Sequence, residues 1–188
     1  MALLSLLLPF SVLAQVKEEQ ESRIAREQFP TPSLELLEGH LEKVRRLRFY
    51  EEIENAEKSY EAKFRKGRLH YSVAFDTAGN LQDVEFIISH RDIPNASWEA
   101  IKDHLDQNFP KYRIIKIQQH HPVIGGDQEK ALREAFQNLI LPHIQYEVVF
   151  SAKMEGDFQF HEARFDAQGS PIEIRRYLPL NYNHVLYD

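Results

Sequence analysis

The chain of 188 residues contains no cysteine. This absence excludes disulfide bonds, thiolate chemistry, cysteine-ligated zinc and a lipid anchor on cysteine. The sequence also lacks a Gly-x-Ser-x-Gly elbow, a His-Glu-x-x-His helix motif and the Gly-Lys-Ser/Thr ending of a phosphate-binding loop. No cofactor and no catalytic residue are therefore assigned from sequence motifs.

Long apolar runs are also missing, apart from MALLSLLLPFSVLA at residues 1–14. This run is shorter than the roughly 20 residues that a membrane-spanning helix needs. Val12 and Ala14 place small residues where a signal peptidase requires them, although the usual preceding basic residues are absent. We predict a signal peptide cleaved after Ala14, a periplasmic or secreted protein, and no stable membrane span after cleavage.

Positive charge is in deficit, because the formal net charge is −6 at pH 7. That balance argues against nucleic acid or an anionic membrane as the main partner. The fraction of hydrophobic residues, 43%, and that of charged residues, 28%, are ordinary for a folded globular domain. Residues 15–28 are strongly charged with little apolar periodicity, and we predict a flexible leader or a short exposed helix there.

Two segments repeat each other closely. FPTPSLELLEGHLE at residues 29–42 aligns with IPNASWEAIKDHLD at residues 93–106, with identical Pro, Ser, Glu, His and Leu columns. Apolar residues recur in both at helical spacing, and Ser33 and Ser97 stand in the position of helix N-caps. His40 and His104 share one column, which indicates a duplicated residue at a helix surface or a helix–sheet boundary rather than a duplicated catalytic histidine.

A second repeat lies in the turns FDTAGN at residues 75–80 and FDAQGS at residues 165–170. An Asp side chain that accepts from backbone N–H groups, followed by Gly, is typical of a tight turn. Asp76 and Asp166 are therefore predicted to form turns, not sites. Strands with one polar face flank these turns, and such alternation indicates antiparallel strands with their apolar face covered.

These repeats predict an α+β fold of two tandem α-β-β-β units, with helices packed on one face of an antiparallel sheet. The first unit spans residues 29–92 and the second residues 93–188. The second unit contains an extra helix at about residues 127–141, where Asp127 is a candidate cap and Pro142 ends the apolar stripe. It ends in a Tyr-rich tail, residues 177–188, interpreted as a last edge strand or as part of a binding surface.

At this level the chain resembles the PepSY-like proteins, which are related in fold to the β-lactamase inhibitor protein. The resemblance rests on the helix with Trp98, on FPKY at residues 109–112 leading into IIKI at 114–117, on a Tyr-Glu strand and on the Phe-Asp-x-x-Gly turn. It spans residues 29–178, although the first unit has VRRLR at residues 44–48 in place of the Phe-Pro-x-Tyr step. The resemblance implies a small exported bacterial protein that binds or inhibits an extracytoplasmic enzyme without catalysis.

Nine histidines raise the question of a metal site, especially His120, His121, His143 and His161. Adjacent residues of a strand point to opposite faces, so His120 and His121 are not expected to share an ion, and no metal site is predicted.

The function predicted from the sequence is that of a non-catalytic binding or inhibitor-like module for an extracytoplasmic protein or small ligand. A sheet covered on one face leaves its other face open for binding. Alternation assigns to that face His70, Ser72, Glu147, Val149, His161, Glu173 and Arg175. A histidine-dependent metal sensor or exported enzyme is one alternative, and a structural envelope component is another.

Overall fold

The computed structural model describes residues 16–154 and 156–179. These residues form nine strands and three α-helices, with two short 3-10 turns. The elements are listed in chain order: β1 Val16–Ile24, α1 Thr31–Glu38, β2 Val44–Glu54, β3 Glu57–Lys66, β4 Leu69–Phe75, β5 Leu81–Ile87, α2 Asn95–Asn108, β6 Tyr112–Pro122, α3 Gln128–Phe136, β7 Gln145–Met154, β8 Asp157–Asp166 and β9 Pro171–Pro179. The predicted α+β class is confirmed, and so is the extra helix of the second half.

The strands form one sheet in sequential order, and each strand is antiparallel to the next. The sheet curls until its two edges meet, because β1 also pairs with β9 in parallel. This pairing places Val16 opposite Arg176 and Glu19 opposite Pro179. The sheet therefore has an outer face and an enclosed inner face.

The hydrophobic core lies between the outer face of the sheet and the helices. Each helix buries an apolar stripe, with Leu37 on α1, Ile101 and Leu105 on α2, and Leu132 on α3 all fully buried. The sheet contributes alternate residues of each strand; on β4 these are Leu69, Tyr71, Val73 and Phe75. Helices on one face of the sheet are thus observed as predicted.

The charged segment before α1 differs from its prediction. Instead of a leader or an exposed helix, Val16–Ile24 is strand β1, paired with β2. This charged segment forms a strand because its charged side chains lie on the polar face of the sheet. Glu21, which is 9% exposed, accepts a hydrogen bond from the ammonium group of Lys63 on β3 at 2.8 Å. The predicted signal peptide and most of the Tyr-rich tail lie outside the described residues.

The twin turns have matching hydrogen bonds. Asp76 Oδ1 accepts from the N–H groups of Ala78 and Asn80, and Asp166 Oδ1 accepts from those of Gln168 and Ser170. Because these bonds close the loop, both aspartates form turns, as the sequence predicts.

Ser33 and Ser97 are not N-caps, which corrects the prediction. The residues that precede the two helices are Pro30 and Pro94. Each serine instead donates its hydroxyl to a turn carbonyl, Ser33 to Gly79 O at 3.1 Å and Ser97 to Ala167 O at 2.8 Å. The duplicated serine therefore fastens each helix to the duplicated turn.

We expect Ser97→Ala to lower the free energy of unfolding by about 1–2 kcal/mol, because it leaves the Ala167 carbonyl without this buried hydrogen bond. Urea denaturation followed by circular dichroism measures the change. Ser170→Ala, at an exposed position of the same turn, is the control and is expected to stay within about 0.5 kcal/mol of the wild type. Equal effects of the two substitutions would contradict the role assigned to Ser97.

Candidate functional site

The inner face of the sheet encloses a polar cavity of about 200 Å³. All nine strands contribute to its wall. The residues that line it are Glu21, Glu52, Glu54, Ser59, Glu61, Lys63, Ser72, Ala74, Gln82, Asp83, Glu85, Lys116, Gln118, His120, Glu147, Val149, Glu162, Arg164 and Arg175. Because the helices cover the opposite face, this cavity is the space that alternation in the sequence assigns to the uncovered side of the sheet.

Negative charge predominates in the cavity wall. In the described part of the chain, eight carboxylates face four lysine and arginine side chains and one histidine there. The Lys63 ammonium group lies 2.8 Å from a carboxylate oxygen of Glu21 and 2.8 Å from one of Glu61. Ser72 donates its hydroxyl to the same Glu61 carboxylate. One lysine thus neutralises part of the charge of two carboxylates from two different strands.

Arg175 makes a second network of ion pairs in the cavity wall. Its guanidinium contacts Glu54 at 3.0 Å, Glu162 at 3.4 Å and Glu173 at 3.5 Å. These partners lie on β2, β8 and β9, so one side chain links strands on both sides of β1. Its side chain is only 14% exposed, and Glu162 is 4% exposed, so water screens this network little.

A compact group of Asp83, Glu85 and His120 forms a third part of the wall. Asp83 and Glu85 occupy alternate positions of β5, and Glu85 stands directly opposite His120 on β6. One ligand atom from each of the three side chains lies within 4.8 Å of the other two. The ring nitrogen His120 Nε2 is 3.6 Å from Asp83 Oδ2, and His120 Nδ1 is 3.2 Å from Gln145 Oε1.

The pKa values of Glu85 and His120 are shifted because these groups are buried close to other charges. The pKa of Glu85 is raised to about 8, mainly by burial and also by the charges of the Glu147 and Asp83 carboxylates. Burial lowers the pKa of His120, but the nearby carboxylates of Asp83 and Glu85 outweigh it and raise the pKa to about 9. At neutral pH the Glu85 carboxyl therefore holds a proton for much of the time. A cation bound beside it would stabilise the deprotonated carboxylate in place of that proton.

The structure places the seven residues assigned to the binding face as follows. Ser72, Glu147, Val149 and Arg175 line the cavity, and Glu173 contacts Arg175 beside it. His70 lies near the start of β4 in a surface recess with Arg46, Arg48 and Arg65. Burial lowers the pKa of His70, as do the charges of Arg65 and Arg46.

His161 differs from its assignment, because it lies on the helix-covered face. Its ring stacks on Phe150 at 5.4 Å and packs against Phe109 at 5.2 Å. On β8 the inward positions are those of Glu162 and Arg164, which line the cavity. At His161 and at residues 162–164 (EAR), the side chains of β8 therefore face the opposite sides of the sheet to those that the assignment of His161 assumed.

The histidines considered as metal ligands do not converge. His120 faces the cavity and His121 the core, where its ring stacks on Phe86 at 5.6 Å. His143 contacts Glu134 at 3.2 Å on the helical side. Reasoning from the sequence missed Asp83 and Glu85 beside His120, since only the pairing of β5 with β6 brings them together.

Of the duplicated pair, His104 lies at a helix–sheet boundary, as the repeat suggests, whereas the His40 side chain faces α3. His40 contacts Glu129 on α3 at 3.1 Å. The ring of His104 packs edge-on against Phe165 at 5.8 Å, and its burial lowers its pKa. Neither histidine belongs to the cavity.

Comparison with known proteins gives a fold and no family. No family model and no curated protein matches the chain.

Every helix within residues 16–154 and 156–179 is too short or too polar to span a bilayer.

Solved structures do resemble it. A DUF2874 family protein of Bacteroides ovatus has a TM-score of 0.54 and 11% identity, covering 79% of this chain and 87% of its own. A BLIP-like protein of Bacteroides fragilis has a TM-score of 0.52 and 13% identity, covering 83% and 92%. A protein of Bacteroides eggerthii assigned to the periplasm has a TM-score of 0.53 and 11% identity, covering 79% and 88%. At such identities the likeness concerns the fold alone, and membership of the PepSY-like proteins stays a prediction.

Proposed function

We propose that this protein is a non-catalytic, extracytoplasmic binding protein that takes a small polar cation into the cavity of its sheet. The observation that carries the proposal is the excess of carboxylates over basic groups in a wall built from all nine strands. Walls of low dielectric constant concentrate the field of such charges, so a cation gains more there than at an open surface.

The size and polarity of the cavity favour a small ligand. Sites for drug-sized molecules usually measure about 300–1,000 Å³ and are largely apolar. At about 200 Å³, this cavity is smaller, and carboxylates, amides and basic groups dominate its wall. Lys63 and Arg175 are each held by two or more carboxylates, which is an arrangement suited to keeping a charged wall in place.

Export is part of the proposal. The predicted signal peptide at residues 1–14 supports it. So does the fold shared with the Bacteroides eggerthii protein that is assigned to the periplasm.

The test is isothermal titration of the purified protein with spermidine, putrescine, arginine, a lysine-rich peptide and divalent metal ions, with citrate as the anionic control. We expect saturable binding of at least one small cation and none of citrate. Glu147→Gln removes one carboxylate of the wall and should weaken that binding about tenfold, the value of one charge-assisted hydrogen bond.

Glu99→Gln is the matched control, because Glu99 lies exposed on α2 away from the cavity. Binding of the peptide but of no small cation would favour the inhibitor-like alternative, in which a basic group of another protein enters the cavity. Binding of none of these ligands would overturn the proposal and favour a structural role.

A further inference from the structure

One part of the cavity wall combines the donor atoms that a metal ion requires. Asp83 and Glu85 share a face of β5, and His120 stands opposite Glu85 on β6. One donor atom from each lies within 4.8 Å of the others, and His120 Nε2 is 3.6 Å from Asp83 Oδ2. Bonds of about 2.1 Å to tetrahedral zinc separate neighbouring ligand atoms by roughly 3.4 Å, so side-chain rotations alone could bring this group to a metal geometry.

Gln118 supplies a second, independent observation. Its side chain lines the same cavity and is only 3% exposed. Its amide nitrogen donates to Glu85 Oε2 at 2.7 Å, whereas its carbonyl oxygen Oε1 has no hydrogen-bond partner among the described residues. Buried polar atoms are nearly always satisfied, so an unsatisfied carbonyl on a side chain that is bonded to Glu85 points to a missing electropositive partner.

The imidazole ring is held from behind. His120 Nδ1 lies 3.2 Å from Gln145 Oε1, which accepts its proton, so Nε2 is the nitrogen directed toward Asp83. Histidines that bind metals commonly donate their other ring nitrogen in this way, which sets the tautomer and the ring orientation. Gln145 is thus a positioning residue for the ring.

From these contacts we propose that Asp83, Glu85 and His120, with the Gln118 carbonyl as a fourth donor, bind one divalent transition-metal ion of the zinc type. An imidazole nitrogen among the ligands favours zinc and its neighbours, whereas calcium and magnesium prefer oxygen ligands alone. The two carboxylates match the charge of the ion. The inference rests on the proposed function, since it names the class of cation that the cavity takes.

The test uses the purified full chain at pH 7, freed of metals with a chelator that is then removed, and titrated with Zn²⁺ and with Ca²⁺ in a calorimeter. We expect one Zn²⁺ per chain and Ca²⁺ bound at least ~100-fold more weakly. We expect the affinity for Zn²⁺ to fall about 100-fold in each of Asp83→Asn, Glu85→Gln and His120→Gln, and about tenfold in Gln145→Leu.

Cobalt gives a readout that does not depend on heat. Co²⁺ bound through His120 should show visible absorption bands that His120→Gln loses. His90→Gln, at an exposed histidine outside the cavity, is the matched control and should keep both the affinity and the bands. Circular dichroism identifies any variant that fails to fold, and the near-isosteric Asp83→Asn and Glu85→Gln then decide the question.

Zinc affinity that survives His120→Gln, or equal affinity for Zn²⁺ and Ca²⁺, would overturn the inference. The two proposals fail separately: if an organic cation binds and Zn²⁺ does not, the metal site is wrong and the proposed function stands. If neither binds, both fall.

Discussion

Replacing Gly169 with alanine will lower the free energy of unfolding by roughly 3–5 kcal/mol, from left-handed backbone strain combined with a steric overlap. Gly169 has a φ angle of +87°, where a side chain is strained. A Cβ atom there would lie 2.4 Å from the carbonyl oxygen of Ser97 and 3.0 Å from the Cβ of Ala100. The first contact is with backbone, which is held because the Ser97 hydroxyl bonds to the Ala167 carbonyl of this same turn.

Two other glycines provide controls for this result. Gly67 has a φ angle of +59° but nothing within 4 Å of its added Cβ, so Gly67→Ala should cost only the strain, about 1–2 kcal/mol. Gly79, the twin of Gly169, would meet Ser33 Oγ at 3.1 Å and two proline side chains at 3.2 Å, and should fall between them. Urea denaturation measures all three. A loss at Gly169 no larger than that at Gly67 would show that the turn does not press against α2.

Local patterns were sufficient to predict much of the fold. The Asp76 and Asp166 turns depend on hydrogen bonds within five residues, and the helices on apolar spacing within a few turns. The alternation of β4 placed Tyr71 and Phe75 on the covered face, where both are buried. Such features are encoded by neighbours in the chain, and a single sequence displays them.

The closure of the sheet is not encoded in that way. Alternation separates a polar face from an apolar one, but a polar face is ordinarily solvent-exposed. Here the sheet curls round and encloses it, so Glu162 is 4% exposed and Gln118 is 3% exposed. For the same reason the charged residues of β1 gave no sign of a strand: their partners, such as Lys63, come from distant strands.

The candidate site depends on pairing over a long stretch of chain. Glu85 and His120 face each other because β5 and β6 are joined through α2 and then pair in one register, and a shift of one residue would have turned His121 to the cavity instead. Alternation along the strand correctly predicted that the two adjacent histidines lie on opposite faces of the sheet. It could not identify the partners of either one.

His121 leads to the second large expected effect, a loss of stability in acid. Its side chain is 1% exposed, its ring stacks on Phe86, and Nε2 lies 2.7 Å from the amide nitrogen of Gln119, which donates to it. The pKa of His121 is lowered to about 4, mainly by burial and to a smaller extent by the charges of His120 and His143. The native state therefore holds this imidazole neutral.

The direction of the change in stability with pH follows from the pKa values of His121 in the unfolded and in the folded chain. In the unfolded chain the imidazole takes a proton below about pH 6.5, whereas in the folded chain it does so only near pH 4. Its contribution is complete above pH 6.5 and is lost as the pH falls from 6.5 to 4, by about 3 kcal/mol. Glu85, with its raised pKa, acts in the opposite direction over part of this range, because the folded state retains its proton.

The effect of His121 must therefore be measured as a difference. We expect the gap in unfolding free energy between the wild type and His121→Gln to shift by about 3 kcal/mol between pH 7 and pH 4, in favour of the variant at low pH. The contribution of Glu85 is present in both proteins and cancels. His143→Gln, which removes one neighbouring charge and keeps the buried ring, should reduce the shift only slightly. A gap independent of pH would mean that the folded chain protonates His121 as readily as the unfolded chain does, and that the ring is not enclosed by the packing between Phe86 and Gln119.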